Sequence, residues 1–304
     1  IEPGPDGDET DAGQCLAAAG REHLLFRRAK REEGEPRSGG VESRDHRIRL
    51  RARGIESLNA DILYGLPHQT PQRIADSIQK LMALSPDRIA LYGYAHVPWM
   101  AKRQVMIPDA ALPDPQGRLA LFEVARRLLV ADGYDEIGID HFARPGDGLA
   151  VAQRAGLLRR NFQGYTDDQA TALVGMGASS ISRFPQGYAQ NAPATGAHVK
   201  AIREGRFSTT RGHAFTPEDI WRARMIEALM CDFEIRADEF IRDHGFTAPR
   251  LAALFAPIKA QFGEMVTVNA AGLSIPFEGR PLTRMIARML DGYEMEAKGH
   301  SPAI

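Results

Sequence analysis

Leu58-Asn59-Ala60-Asp61-Ile62-Leu63-Tyr64-Gly65-Leu66-Pro67, followed by Thr70-Pro71 and a run that sets Ile74, Ile78, Leu81 and Met82 on one helical face, decides the fold. The first stretch reads as a strand closed by a Gly/Pro turn. Thr70 stands where a helix cap belongs, and Pro71 fills the first helical position, where a missing N–H costs nothing. The apolar residues beyond recur at helical spacing. Arg88-Ile89-Ala90-Leu91-Tyr92-Gly93-Tyr94 is a second strand. Asp114-Pro115 opens a second helix, with Leu119, Phe122, Leu128 and Leu129 inward, and Gly133 stops it. Tyr134 to Asp140 reads as a third strand that ends at His141. Strand–helix–strand–helix–strand alternation predicts an α/β architecture, a parallel sheet with helices outside.

Working outward, residues 1–53 differ from the rest. They are rich in Gly, Glu and Arg, with a basic stretch from Arg27 to Arg53 and few apolar residues. Too little apolar surface is available to offset the entropy of ordering, so a disordered or unrelated tail is expected. Arg144 to Thr166 is loop-rich, with one short helix at Leu149 to Ala155. Leu173 to Ser182 reads as a strand, and Pro193 to Glu204 as a helix stopped by Gly205. From residue 207 the pattern changes to helices at Pro217–Met230, Asp238–His244 and Pro249–Phe262. A hairpin around Asn269-Ala270-Ala271-Gly272 follows, then a helix from Thr283 to Met295. The expected division is a tail at 1–53, a sheet and loop region at 54–206, and a winged-helix-like domain at 207–304.

Formal net charge is −1, which argues against a nucleic-acid partner. No apolar run approaches the roughly 20 residues of a membrane helix. The start, Ile1-Glu2-Pro3-Gly4, has neither the basic flank nor the apolar core of a secretory signal. A cytoplasmic monomer without membrane or nucleic-acid partners is expected. The two cysteines, Cys15 and Cys231, are too few for a disulfide framework or a closed thiolate metal site.

Several residues carry chemistry. Asp61 lies in an otherwise apolar strand, where a carboxylate is either paired or turned toward a ligand hydroxyl or amine. Tyr94-Ala95-His96 and Asp140-His141 each place a histidine beside a strand end. Asp140 could orient the neighbouring imidazole for proton transfer, or the pair could be structural. Arg144, Arg154, Arg159 and Arg160 surround Asn161-Phe162-Gln163-Gly164-Tyr165-Thr166. Guanidinium forks match carboxylates, so this stretch suits a flat polycarboxylate; a solvated basic loop is the alternative. Gly175-Met176-Gly177 lacks the third glycine of a dinucleotide fingerprint and reads better as a place where a ligand approaches the backbone.

Together these stretches resemble the oxygen-independent coproporphyrinogen III oxidases, radical-SAM enzymes of haem synthesis. The resemblance is carried by Asp61-Ile62-Leu63-Tyr64-Gly65-Leu66-Pro67-His68-Gln69-Thr70, by Gly138-Ile139-Asp140-His141-Phe142-Ala143-Arg144-Pro145, and by Arg160-Asn161-Phe162-Gln163-Gly164-Tyr165-Thr166. It implies a partial radical-SAM (β/α) barrel with a small, mostly helical C-terminal domain. It implies an enzyme that oxidatively decarboxylates coproporphyrinogen III to protoporphyrinogen IX, with S-adenosylmethionine and a [4Fe-4S] cluster as cofactors and a separate electron-donor protein. By position, Asp61, Ala95 and Ile181 match residues that contact S-adenosylmethionine in that family. His141, Arg144, Arg154, Arg160 and Tyr165 are the candidates for the substrate.

The chain departs from the family at one point. The family's Cys-x3-Cys-x2-Cys cluster loop is absent, and neither Cys15 nor Cys231 replaces it. No metal ligand is therefore assigned, and the cluster is not expected on this chain. The chain is read either as a fragment of the enzyme or as a degenerate paralogue, a non-catalytic porphyrin- or haem-binding protein on the same half-barrel.

Overall fold

The computed structural model describes residues 52–55, 57–99 and 101–293. Apart from residues 52 and 53, the expected tail, and Cys15 with it, lies outside the described residues.

Strand β1 (Asn59–Tyr64) leads through the Gly65-Leu66-Pro67 turn into helix α1 (Pro71–Met82). The Thr70 hydroxyl accepts from the Arg73 N–H at 3.3 Å, which caps the helix as its sequence demands. Strand β2 (Arg88–Gly93) pairs in parallel with β1, with Asp61 opposite Ala90 and Leu63 opposite Tyr92. Helix α2 (Pro115–Ala131) is capped by Asp114, whose carboxylate accepts from the Gly117 N–H at 2.7 Å. The two helices cover one face of the sheet, where Ile74, Ile78, Leu121, Ala125 and Leu129 meet Ile89, Leu91 and Phe142 in a buried core.

The third strand is not continuous. It breaks into β3 (Asp135–Ile137) and β4 (His141–Ala143), joined by a tight turn, and the sheet order is β1-β2-β4-β3. β4 pairs antiparallel with both β2 and β3, so the expected all-parallel sheet carries an inserted reversed strand. The apolar alternation of Ile137 and Ile139 concealed the turn. Its cause is tertiary: Gly138 adopts φ +56°, and a side chain there would collide with the Tyr165 ring, 2.1 Å from a built Cβ.

Helix α3 (Gly148–Arg154) follows, and the stretch expected to be a loop forms a hairpin of β5 (Arg159–Asn161) and β6 (Gly164–Thr166). Asn161 makes its turn by accepting the Gln163 N–H on its side-chain oxygen at 2.8 Å. Strands of three residues leave no hydrophobic period to read.

Residues Ala170–Thr216 form a compact unit of their own. It holds β7 (Ile181–Phe184), β8 (Gly187–Asn191), α4 (Thr195–Arg203) and β9 (Thr209–Ala214) in an antiparallel three-stranded sheet. The strand expected at Leu173 to Ser182 is therefore displaced toward the C-terminus. Only Leu173 bridges to Arg183, because the Asn191 side chain donates to the carbonyls of Gly175 (3.3 Å) and Gly177 (3.0 Å) and holds that segment irregular.

The rest of the chain comprises α5 (Pro217–Asp232), β10 (Glu234–Arg236), α6 (Ala237–His244), α7 (Ala248–Phe262), β11 (Thr267–Asn269), β12 (Gly272–Ser274) and α8 (Thr283–Arg288). Sheet order here is β10-β12-β11. Leu229, Ile235, Phe240, Phe255, Ile258, Val266 and Leu273 fill its core. This region shares one compact unit with the four-stranded sheet, so the units do not follow the expected division at 206/207. Buried polar contacts described below tie the two together, and no apolar periodicity announces them.

Arg88 and Asp147 form a buried pair. The guanidinium Nε donates to both carboxylate oxygens, at 2.6 and 2.8 Å, while Asp147 also caps α3 by accepting the Leu149 N–H at 2.8 Å. Asp147→Ala strands a buried cation and should cost about 3–5 kcal/mol. The double change Arg88→Met with Asp147→Leu should recover most of that. Urea unfolding midpoints of the three proteins decide it, and equal losses in single and double variants count against the pairing.

Candidate functional site

Strand alternation sorts the sheet into two faces. Ile62 and Tyr64 on β1, Ile89 and Leu91 on β2, and Phe142 on β4 face the helices. The opposite face carries Asp61 and Leu63 from β1, Ala90 and Tyr92 from β2, His141 and Ala143 from β4, and Ile137 from β3. At its β3–β4 end that face is filled by Leu149, Ala150, Leu158, Tyr165 and Cys231. Among the described residues nothing covers its β1 end, where Asp61 and Leu63 are exposed.

Asp61 is thus not a carboxylate buried in a greasy strand. Among the described residues β1 is the edge of the four-stranded sheet, and Asp61 and Leu63 on its face away from the helices are exposed. Asp61 accepts only from the Asn59 side-chain amide, at 3.2 Å, and among the described residues no arginine or lysine pairs with it. Its negative charge is felt by Tyr92. That phenol is pushed up to about 12, first by burial, then by Asp61 and Asp140, against the opposing pull of Arg160 and Arg284. Two carboxylates and two guanidinium groups thus surround one phenol.

His141 sits beside it. Its Nδ1 lies 2.7 Å from an Asp140 carboxylate oxygen, and its ring meets Tyr92 and Tyr165 edge-on at centroid distances of 5.7 and 5.1 Å. The second Asp140 oxygen accepts from the Arg284 guanidinium at 2.5 Å. Burial works to raise the Asp140 carboxyl. The hydrogen bond and charge of His141, then Arg284 and Arg160, outweigh it and hold the group below the usual carboxylate range.

Tyr165 is structural at both ends. Its hydroxyl accepts the Ile139 N–H at 3.0 Å and donates to the Met230 carbonyl at 2.7 Å, which joins the β3–β4 turn to α5. Burial raises this phenol far above its ordinary value. Arg160 stacks over the Tyr165 ring at 5.5 Å, its backbone N–H donates to Glu227 at 3.2 Å, and its Nε is buried without a hydrogen-bond partner.

Other candidates lie elsewhere. Arg144 donates to the Asp132 carbonyl and carboxylate and lies over Tyr134, while Arg154 donates to Asp135 and to the Pro145 carbonyl. Both belong to the far end of β4, where Ala143 pairs with Arg88, and both brace loops. Ala95 is exposed two residues past β2, with its carbonyl accepting from Gln104 at 3.1 Å. Ile181 opens β7 in the Ala170–Thr216 unit. Sequence reasoning passed over Tyr92 and Arg284. The parallel register of Leu63 with Tyr92 offered a signal for the first. Nothing local marks the second, which is 144 residues from its partner.

Thiolate chemistry is not available here. Cys231 is buried, and its thiol is pushed up to about 12 by burial, then by Glu227 and Asp232. Among the described residues no group of three His, Cys, Asp or Glu side chains could hold a metal ion. Residues with this chemistry do not fit an iron–sulfur cluster. Nor is any helix of the described residues long and apolar enough to cross a membrane.

No family model matches the chain. It is 78% identical over 255 residues to the oxygen-independent coproporphyrinogen III oxidase of Paracoccus denitrificans, covering 84% of this chain and 56% of that protein. It is 55% identical over 249 residues to the enzyme of that name from Cereibacter sphaeroides, covering 82% and 55%. Among solved structures it matches coproporphyrinogen III oxidase (HemN) from Escherichia coli, a radical SAM enzyme, with TM-score 0.77 and 37% identity over 84% of this chain and 59% of that one. The chain spans about half the length of the curated relatives it matches.

Two outcomes follow from the contacts. Tyr165→Phe leaves two buried backbone groups unpaired and should lower unfolding free energy by about 2–4 kcal/mol, read from denaturant titration. Asp140 has a folded value below its unfolded one, so its contribution is present above the unfolded value and lost as pH falls through the folded one. The stability gap between wild type and Asp140→Asn should therefore be widest near neutrality and close below about pH 4. Thermal melts from pH 7 to pH 2 test this, and a gap unchanged across that range refutes it.

Proposed function

Over the portion it spans, the chain belongs to the oxygen-independent coproporphyrinogen III oxidase family, and from that premise we propose that it carries the substrate-facing part of an enzyme that oxidatively decarboxylates coproporphyrinogen III to protoporphyrinogen IX. The open sheet face is the observation that best supports this reading. An exposed carboxylate, Asp61, shares it with a part-buried imidazole and a phenol that feels the charge of two guanidinium groups. A carboxylate in that setting suits the hydroxyls or ammonium of a nucleoside-bearing cofactor. Cationic groups a few residues away suit the acid side chains of the macrocycle.

S-adenosylmethionine, when bound, supplies the hydrogen-abstracting radical. We assign its contacts to Asp61 and Ala95; Ile181, in the Ala170–Thr216 unit, is a separate position matched only by the family resemblance. His141 and Arg160 are assigned to the substrate. Arg144, Arg154 and Tyr165, all engaged in bracing contacts, support the fold that presents them. This chain carries no Cys-x3-Cys-x2-Cys loop, so no cluster is assigned to it. An electron-donor protein and a cytoplasmic setting complete the reading.

Asp61→Asn removes the charge but keeps the shape of an exposed side chain. Affinity for S-adenosylmethionine should fall about tenfold, the size of one charge-assisted hydrogen bond. Affinity for coproporphyrin III should change by less than about twofold, because neutralising Asp61 leaves the proposed substrate groups in place. Titration calorimetry of both proteins with each ligand measures this. Unchanged S-adenosylmethionine affinity removes Asp61 from the site, and failure of the wild-type chain to bind coproporphyrin III removes the substrate assignment.

A further inference from the structure

Arg284, Asp140 and His141 form a chain of contacts that crosses from the C-terminal helices to the open sheet face. Asp140 is almost wholly buried, with its side chain 8% exposed, and each of its oxygens is taken, one by the His141 Nδ1 and the other by the Arg284 guanidinium. A carboxylate that accepts at Nδ1 fixes a proton on that nitrogen in both the neutral and the cationic imidazole. Nε2 is then the free atom in either state. The ring cannot turn away, because Tyr92 and Tyr165 flank it edge-on, both at 82°. Nε2 is directed toward Gly164 at the end of the β5–β6 hairpin, 3.8 Å from where a Cβ would stand. Gly164 has φ +137°, so a side chain is disfavoured there and the approach stays open. Arg160, on the same hairpin, brings a guanidinium whose charge reaches Tyr92, Tyr165 and Asp140.

We infer that Arg284 is a positioning residue, which acts through Asp140 to hold the His141 ring so that its Nε2, with Arg160, meets a carboxyl group of the substrate. The inference rests on the reading above for the identity of that substrate. Arg284 itself touches no substrate in this arrangement. Its side chain is 45% exposed, so its replacement opens no cavity in the core, though it leaves one buried Asp140 oxygen without its cation. A bare structural ion pair would hold the same two charges together without consequence for the tautomer of a third residue.

The test uses the 304-residue chain, isotopically labelled at its histidine nitrogens. The His141 signals are assigned by their loss in His141→Gln. In wild type the neutral imidazole should be the Nδ1–H form. Arg284→Met keeps the aliphatic stem and removes the charge, and it should give a mixture of the two tautomers. Arg284→Lys should restore the bias. Coproporphyrin III affinity should fall about tenfold in Arg284→Met and in His141→Gln, and the double variant should lose little more than either alone. Arg284→Lys should lie within about threefold of wild type, since it keeps a cation at the carboxylate. An Nδ1–H form retained in Arg284→Met, or losses that add in the double variant, overturns the inference. A wild-type chain that does not bind coproporphyrin III overturns the proposed function and the substrate contact of His141. The tautomer measurement still decides whether Arg284 positions the ring.

Discussion

A single phenol hydroxyl joins three parts of the main unit. Tyr165 lies in the space left by Gly138, accepts the Ile139 N–H and donates to the Met230 carbonyl. Its ring therefore sets the β3–β4 turn, its hydroxyl fastens that turn to α5, and its edge presses on His141. Each backbone group it satisfies would otherwise be buried and unpaired. The reversal of the sheet at β4 and the placement of the imidazole follow from where this one side chain can fit.

Electrostatics on the open face are set by the same packing. Asp140 stays ionised against its burial only because an imidazole and a guanidinium occupy its two oxygens. Burial and two carboxylates outweigh two cations at Tyr92 and push its phenol up to about 12. Asp61, on β1, is exposed and accepts from the Asn59 amide. Charges thus become better solvated from β4 toward β1. A ligand with acid groups at one end and hydroxyl or amine groups at the other would find complementary partners across a few strand spacings. Cys231 illustrates the converse: among carboxylates and apolar side chains, its thiol stays protonated.

Local chemistry made much of this legible before any coordinates. The Thr70 and Asp114 caps, the apolar faces of α1 and α2 and the parallel pair β1–β2 follow from rules that span a few residues. So does the Asp140-His141 contact between neighbours, whereas the arginine-rich stretch, expected as a loop, proved to be a hairpin. What escaped was of another kind. Arg144 and Arg154 looked equivalent to Arg160, yet they brace loops at the opposite end of β4. Asp61 looked buried because its neighbours are apolar, but it points to the face opposite the helices, where it and Leu63 are exposed among the described residues.

Residue spacing alone determined the α/β character, the capped starts of α1 and α2 and the identity of the polar side chains, because capping, periodicity and turn chemistry act within one or two turns of chain; the helix expected from Thr283 to Met295 instead ends at Arg288. Tertiary structure alone decided that the third strand folds back on itself, which of four similar arginines lies over the Tyr165 ring, and that Arg284 reaches Asp140 across 144 residues. Such contacts form only where burial makes an unpaired polar group costly, and burial belongs to the folded molecule and not to any stretch of its sequence.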